Sequence, residues 1–538
     1  MSGALLQLAA LSSQDVYLTA NPEITLFKKT YMRYTNFSIE TVQIAFDGSV
    51  SFGNETYANL EKTGDLISKI VLVVNLQQLT STKKWGYVDK IGHAIIDSVS
   101  IYIGGAEIDS RNNDWIDIYQ SITRDRSQKD NYNIMIGNVP TLKKLDYSHD
   151  SYNLFIPLEF WTGKLTSSAF PICALLNNNI FQVRIKFRNS ADCINYFGTT
   201  APSNSELPVI GNSYLLIDYV YLETEERNLF ITNNHNYLIE VVDRMTTTLS
   251  AVNTKIDLNF NKPTKYMIWY AQLNKYSSRS KFMSWATDDD WEASRNEFGK
   301  LVWLITRNGL TNTNPPTINF GTQYVNIGTQ PAAITGGNAL LLTLAAKVSA
   351  IILFATLQGG NSIANATTDN VALISNTITF EDMSTIIDLF QTSATAAQLN
   401  FLNLHTNNII DIFNYGNFIN RTDNPIISSS FQLNGKNRFQ ERDGFFYNYL
   451  QPYYYFKNSP ADGVNIYTFS LNPEDIQPSG TINLGNVDSK NLIVSLGKYN
   501  NSSDSYLNYF GSGNIRIFAF SYNNLSVAKG YALLSYGL

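Results

Sequence analysis

Residues 65–76 read Asp-Leu-Ile-Ser-Lys-Ile-Val-Leu-Val-Val-Asn-Leu, a short run dominated by Val, Ile and Leu. β-Branched residues at this density suit a pleated, largely buried surface, and the run reads as a strand. Working outward, the same composition recurs at 39–46 (IETVQIAF), 95–103 (IIDSVSIYI), 152–160 (YNLFIPLEF), 179–187 (within NNIFQVRIKF) and 214–223 (YLLIDYVYLE). Several of these alternate apolar with polar residues, as a strand with one buried face does. Gly, Asn, Asp and Pro punctuate them, and Gly104-Gly105 follows a strand as a tight hairpin turn would. A helical stretch, 115–124, interrupts the series. Strands at this spacing predict a sandwich or jelly roll.

The series then starts again. Strands are expected at 237–242 (YLIEVV), 255–260 (KIDLNF), 265–270 (KYMIWY), 427–433 (ISSSFQL), 464–471 (VNIYTFSL), 491–496 (NLIVSL) and 514–522 (NIRIFAFSY). Asn434-Gly435 is a second hairpin signal, placed in its half much as Gly104-Gly105 is in the first. The two halves therefore suggest a structural duplication. The polar stretch 224–236 reads as the linker between them. Residues 305–426 break the rhythm, being low in charge and rich in Asn, Thr, Ala and Gly, with helical periodicity at 380–390. A segment of that length between two strands is far longer than an ordinary loop and reads as an elaborated insertion.

Composition excludes several classes. The chain has 538 residues, 44% hydrophobic and only 16% charged, where a globular protein has about 25% charged residues. Thirty-two Tyr, 30 Phe and 7 Trp are incompatible with a disordered chain, and two Cys, Cys173 and Cys193, cannot build a disulfide framework. With 39 Lys+Arg against 45 Asp+Glu, a net charge of −6, direct nucleic-acid binding is not expected. The apolar Leu5–Leu11 stretch lacks the basic flank of a secretory signal, and the scarcity of Cys agrees with folding in a reducing cytosol. Residues 339–357 are long enough to span a bilayer, but Lys347 lies at their centre and would cost roughly 2.5–3.5 kcal/mol there, so they read as core.

Chemistry-bearing patterns are sparse. His93, His149, His235 and His405 show no ligand spacing, and the cysteines form no C-x-x-C pair, so neither a metal nor a cofactor is expected. The Asp288–Glu292 acidic cluster lacks the Gly and spaced ligands of a calcium loop and reads as solvated. No Gly-rich phosphate loop or G-x-S-x-G elbow occurs. A carbohydrate-binding or carbohydrate-cleaving β-sandwich is the alternative reading, in which Tyr453-Tyr454-Tyr455-Phe456 would stack on sugars; an interior or interface strand is the expectation for that stretch. Glycosylation sequons fall at Asn36, Asn54, Asn365, Asn420, Asn500, Asn501 and Asn524, of which Asn54, Asn365, Asn420 and Asn501 are the candidates for sugar attachment.

The first 37 residues carry a more specific pattern. Gln14-Asp15-Val-Tyr17-Leu18-Thr-Ala20-Asn21-Pro22 runs on through Phe27-Lys28 to Arg33 and Asn36-Phe37. With Gly64-Asp65, Gln451-Pro452, and Asn472-Pro473-Glu474 followed by Gln477-Pro478-Ser479-Gly480, it closely resembles the major capsid proteins of nucleocytoplasmic large DNA viruses. The departures are Ala20, where the family usually has Gly, and the long insertion. The resemblance implies an all-β double jelly roll: two eight-stranded antiparallel sandwiches side by side, with short helices and a long loop insertion in the second. It divides the chain into an N-terminal arm (1–36), a first jelly roll (37–226) and a second (237–538). It implies a structural, non-enzymatic protein whose homotrimer forms a pseudo-hexagonal capsomer tiling an icosahedral shell over an internal membrane. The implied partners are its own copies, minor capsid and penton proteins, and the inner membrane through the arm; assembly is implied in the host cytoplasm.

Overall fold

A computed structural model of the chain describes residues 3–10, 19–21, 34–144, 146–196, 202–276, 281–287, 317–320, 323–326, 423–497 and 512–535. In chain order the first half forms β1 (Phe37–Ala45), β2 (Glu55–Leu60), β3 (Leu66–Leu76), β4 (Leu79–Tyr87), β5 (Ile96–Ile103), β6 (Ala106–Asn112), β7 (Asp146–His149), β8 (Tyr152–Pro157), β9 (Phe181–Phe187), β10 (Ile194–Tyr196) and β11 (Ile210–Leu222). The second half forms β12 (His235–Leu249), β13 (Asn253–Asp257), β14 (Pro263–Leu273), β15 (Thr317–Phe320), β16 (Gln323–Asn326), β17 (Ile426–Leu433), β18 (Lys436–Asp443), β19 (Asn465–Thr468), β20 (Ile482–Asn483), β21 (Lys490–Leu496), β22 (Gly513–Ala528) and β23 (Tyr531–Leu534).

The pairing shows the duplication directly. In the first half one sheet runs β1-β11-β3-β8 and the facing sheet β2-β9-β5-β6. In the second half the corresponding sheets run β12-β22-β14-β19 and β13-β21-β17-β18. Counting the eight principal strands of each half in order, both sandwiches read 1-8-3-6 over 2-7-4-5, the jelly-roll order, with antiparallel neighbours throughout. Gly104-Gly105 joins β5 to β6 and Asn434-Gly435 joins β17 to β18, so the two hairpin signals occupy the same topological place. All four residues have φ between 48° and 85°, the left-handed conformation that a primed hairpin turn demands and that Gly and Asn accept most readily. The 305–426 insertion falls between β14 and β17; its β15–β16 ribbon is described, while the 339–357 and 380–390 segments lie outside the described residues.

Three expectations change. The strand expected over 152–160 ends at Pro157 and gives way to a helical turn, Trp161–Gly163. The polar linker is ordered: Thr224–Thr232 is a helix, and β12 begins at His235. That helix buries none of its residues, so no apolar stripe marks it in the sequence. Tyr453-Tyr454-Tyr455 belong to a helix, Gln451–Tyr455, and not to a strand; Pro452 sits in its first turn, where a missing N–H costs nothing.

Candidate functional site

Strand β14 shows how the two sandwiches are joined. Ten of its eleven residues are buried, so it lacks the alternation of a half-exposed strand. Its Met267, Trp269 and Ala271 face the core of their own sandwich with Ile515, Ile517 and Ala519. On the opposite face Tyr266, Ile268 and Tyr270, with Phe518 and Phe520 of β22, belong to the cluster that fills the first sandwich. A sheet buried on both faces reads as a continuous apolar run, and that is the local reason for KYMIWYA.

The first sandwich meets this face with the helix Asn113–Thr123. Trp115, 1% exposed, lies with its ring centroid 5.3 Å from Phe520, 5.5 Å from Phe518, 5.6 Å from its helix neighbour Tyr119 and 6.4 Å from Tyr266. Buried charges frame the aromatic stack. Asp114 accepts from Tyr270 Oη at 2.7 Å and from Arg516 Nη1 at 2.6 Å. Burial alone pushes the Asp114 carboxyl up, but the Arg516 and Arg244 charges and these two bonds hold it below its ordinary value. Glu240 of β12 sits between Lys164 and Lys265; burial again opposes ionisation, and the two ammonium groups win. Asp109, held by Arg111 Nε at 3.0 Å, accepts the backbone N–H of Val242 at 3.2 Å. A buried carboxylate stripped of such partners is strongly destabilising, so these pairs fix one relative placement of the halves.

The recognised sequence positions fall into distinct places. Gln14, Asp15, Tyr17, Leu18, Pro22, Phe27, Lys28 and Arg33 lie outside the described residues; Asn21, Asn36 and Phe37 are exposed. Gly64 lies against Tyr219: a Cβ at Gly64 would stand 2.7 Å from the Tyr219 Cβ, so no larger residue fits. Asp65 is buried and accepts the backbone N–H of Leu222 at 2.9 Å and Arg227 Nε at 3.0 Å, clamping the end of β11 to the linker helix. Gln451 and Pro452 are buried at the start of their helix. The stretch 469–483 is a closed loop. Leu471 N–H donates to the Ser479 carbonyl at 3.3 Å and Asn472 N–H to Ser479 Oγ at 2.8 Å, after which β20 pairs with β14. Pro473 is buried, Glu474 accepts the Lys457 N–H at 3.0 Å, and Gln477, Pro478 and Gly480 are exposed.

The histidines are structural where described. His93 bridges Asp117 and Tyr132, His149 bonds the Trp85 carbonyl, and His235 bonds the Phe230 carbonyl; His405 lies outside the described residues. Among the described residues no group of three or more His, Cys, Asp or Glu gathers to hold a metal ion, and no helix is long and apolar enough to cross a membrane. The 288–292 acidic cluster and the Asn365, Asn420 and Asn501 sequons are outside the described residues, whereas Asn54 is exposed. Apolar side chains remain on the surface at Leu5, Leu6 and Leu8 of the helix Gly3–Ala9, at Phe37 and Ile39 of β1, and at Tyr453 and Tyr454.

Two sandwiches of one topology, locked by a buried aromatic and ionic junction, define a double jelly-roll protein. Residues 25–223 match the family described as major capsid protein N-terminus, and residues 226–532 match the family described as large eukaryotic DNA virus major capsid protein. The second match alone spans more than half of the chain, which therefore belongs to the major capsid proteins of large eukaryotic DNA viruses. It is 29% identical to capsid protein 1 of Acanthamoeba polyphaga mimivirus over 601 residues and 28% identical to the major capsid protein of Phaeocystis pouchetii virus over 574, with 100% of each chain covered in both cases. Its fold is similar to a chain of the quasi-atomic PBCV-1 virus capsid (TM-score 0.63, 23% identity, covering 96% of this chain and 100% of that one). The Faustovirus major capsid protein is also similar (TM-score 0.60, 9% identity, covering 97% and 96%). The family is structural, not enzymatic, and family membership sets aside the carbohydrate-cleaving alternative. The protein is a component of the virion capsid.

Proposed function

We propose that three copies of this chain associate into a pseudo-hexagonal capsomer that tiles an icosahedral shell. The observation that carries this reading is the repeated 1-8-3-6 over 2-7-4-5 strand order: each chain supplies two equivalent sandwiches, so a cyclic trimer presents six and acquires a six-fold outline from three-fold symmetry. The junction around Trp115 makes each pair rigid, as lattice packing requires. Obligate interfaces of this kind bury upward of about 2,000 Å² and favour aromatic residues; a chain with 16% charged residues and exposed Phe37, Ile39, Tyr453 and Tyr454 suits such contacts with little charge desolvation.

The working units are an arm (1–36), a first jelly roll (37–226) and a second (237–538) carrying the 305–426 insertion outward. The arm, with Leu5, Leu6 and Leu8 exposed, reaches neighbouring capsomers, minor capsid or penton proteins, or the inner membrane. The signature residues serve packing: Gly64 and Asp65 set the join to the linker helix, and 472–480 close the loop beside β14. Assembly proceeds in the host cytoplasm without contact to the genome, in keeping with the net charge of −6. Size exclusion with light scattering tests the association: a stable species of three times the 60.4 kDa chain mass supports it, and a monomer at all concentrations overturns it.

A further inference from the structure

A cleft of about 610 Å³ opens where the sandwiches meet. The first half contributes Asp89, Lys90 and His93, the end of the 113–123 helix, and Arg124 to Lys129; the second contributes Trp285 and the 458–464 segment. Five lining side chains are cationic and three acidic, in a chain whose net charge is −6.

Two of the three acidic groups are already paired with cations. Asp117 pairs with Lys90 and with His93 Nδ1, both at 2.9 Å, and Asp89 with Lys143 at 3.1 Å. Asp125 accepts from the Ser127 backbone N–H at 3.4 Å and hydroxyl at 3.3 Å. Arg124 is occupied by Glu159 at 3.0 Å and lies over the Tyr132 ring at 3.8 Å. Two cations are left without a carboxylate among the described residues: Arg126, whose Nε donates to Asn458 Oδ1 at 3.2 Å, and Lys129. Trp285 forms part of the wall that the second half contributes. Trp285 is 2% exposed.

We propose that this cleft binds a small polyanion carrying two or more phosphate groups, its oxygens accepting from Arg126 and Lys129. Phosphate oxygens match guanidinium and ammonium donors, and the volume lies within the about 300–1,000 Å³ typical of small-molecule sites. Because the walls come from both sandwiches, the bound anion would also stabilise their junction through binding linkage. The inference does not depend on the trimer reading.

Isothermal titration of the full chain with tripolyphosphate, at low and at high salt, tests it, with a thermal melt alongside. Saturable one-to-one binding that weakens with salt and raises the melting temperature is expected. Arg126→Ala combined with Lys129→Ala should weaken it by about tenfold or more; both side chains are exposed, so the variant should melt like the parent. Lys129→Glu alone should also weaken binding. No heat and no melting shift with the parent protein, or equal affinity in the double variant, overturns the assignment.

Discussion

Replacing Trp115 with alanine removes the largest side chain that crosses from one sandwich to the other. Trp115 is 1% exposed and touches four aromatic rings, three of them in the second sandwich. Truncating a buried Trp costs about 3–5 kcal/mol through lost transfer energy and the cavity left behind, of which each aromatic pair accounts for about 0.5–1.5 kcal/mol. The expected loss is thus about 4 kcal/mol, or a fall in melting temperature on the order of 10 °C. Its location matters more than its size. Trp269 lies on the opposite face of the neighbouring strand β14, against Tyr447 at 5.1 Å and within the second sandwich alone. Trp269→Ala should cost a similar amount yet leave the halves coupled. Calorimetry separates the two: for Trp115→Ala the van't Hoff enthalpy should drop below the calorimetric enthalpy as the sandwiches begin to melt separately. A Trp115→Ala protein that loses less than about 1 kcal/mol and melts as cooperatively as the parent would refute the junction as the coupling element.

Acid should loosen the Asp117 cluster in a defined window. Burial raises its carboxyl, but the Lys90 charge and the His93 hydrogen bond outweigh this and bring it from 3.8 to about 2. The folded value being depressed, the contribution is complete above pH 3.8 and fades as pH falls toward about 2; its size is about 2 kcal/mol. Stability curves of the parent and of Asp117→Asn should converge across that window, and parallel curves would contradict the pairing. Gly64→Ala should destabilise by about 1–3 kcal/mol in urea unfolding because its new methyl meets the Tyr219 Cβ; a neutral result would mean the strands separate freely there. Deleting Ala4–Leu11 should leave trimers intact by light scattering while impairing shell assembly, and loss of trimers would show that the arm belongs to the trimer interface.

Much of the architecture was legible because strands leave a local trace. Val, Ile and Tyr runs and the paired turn signals at Gly104-Gly105 and Asn434-Gly435 located both jelly rolls, since a hairpin needs its special φ values whatever surrounds it. What failed depended on tertiary context. Tyr453 and Tyr454 look like strand residues by propensity, yet Pro452 opens a helix that carries them on the surface. The linker helix 224–232 fully buries no residue, Phe230 being its one half-buried apolar side chain, against Leu66, Ala169 and Val220, and so shows no apolar stripe. The ionic junction was the largest omission. Asp114, Lys164, Glu240, Lys265 and Arg516 resemble ordinary surface charges, because only the docking of two distant halves buries them. One signal was present: the unbroken apolar run 266–271 announces a strand covered on both faces. Of the N-terminal signature, only residues 19–21 and 34–37 fall within the described residues, all exposed.

Electron microscopy of the purified protein tests the central claim most directly. Class averages should show three-fold particles with six similar lobes at the corners of a hexagon, two from each chain. Isolated two-lobed particles, or rings whose lobe number is not six, would contradict the capsomer built from a duplicated jelly roll.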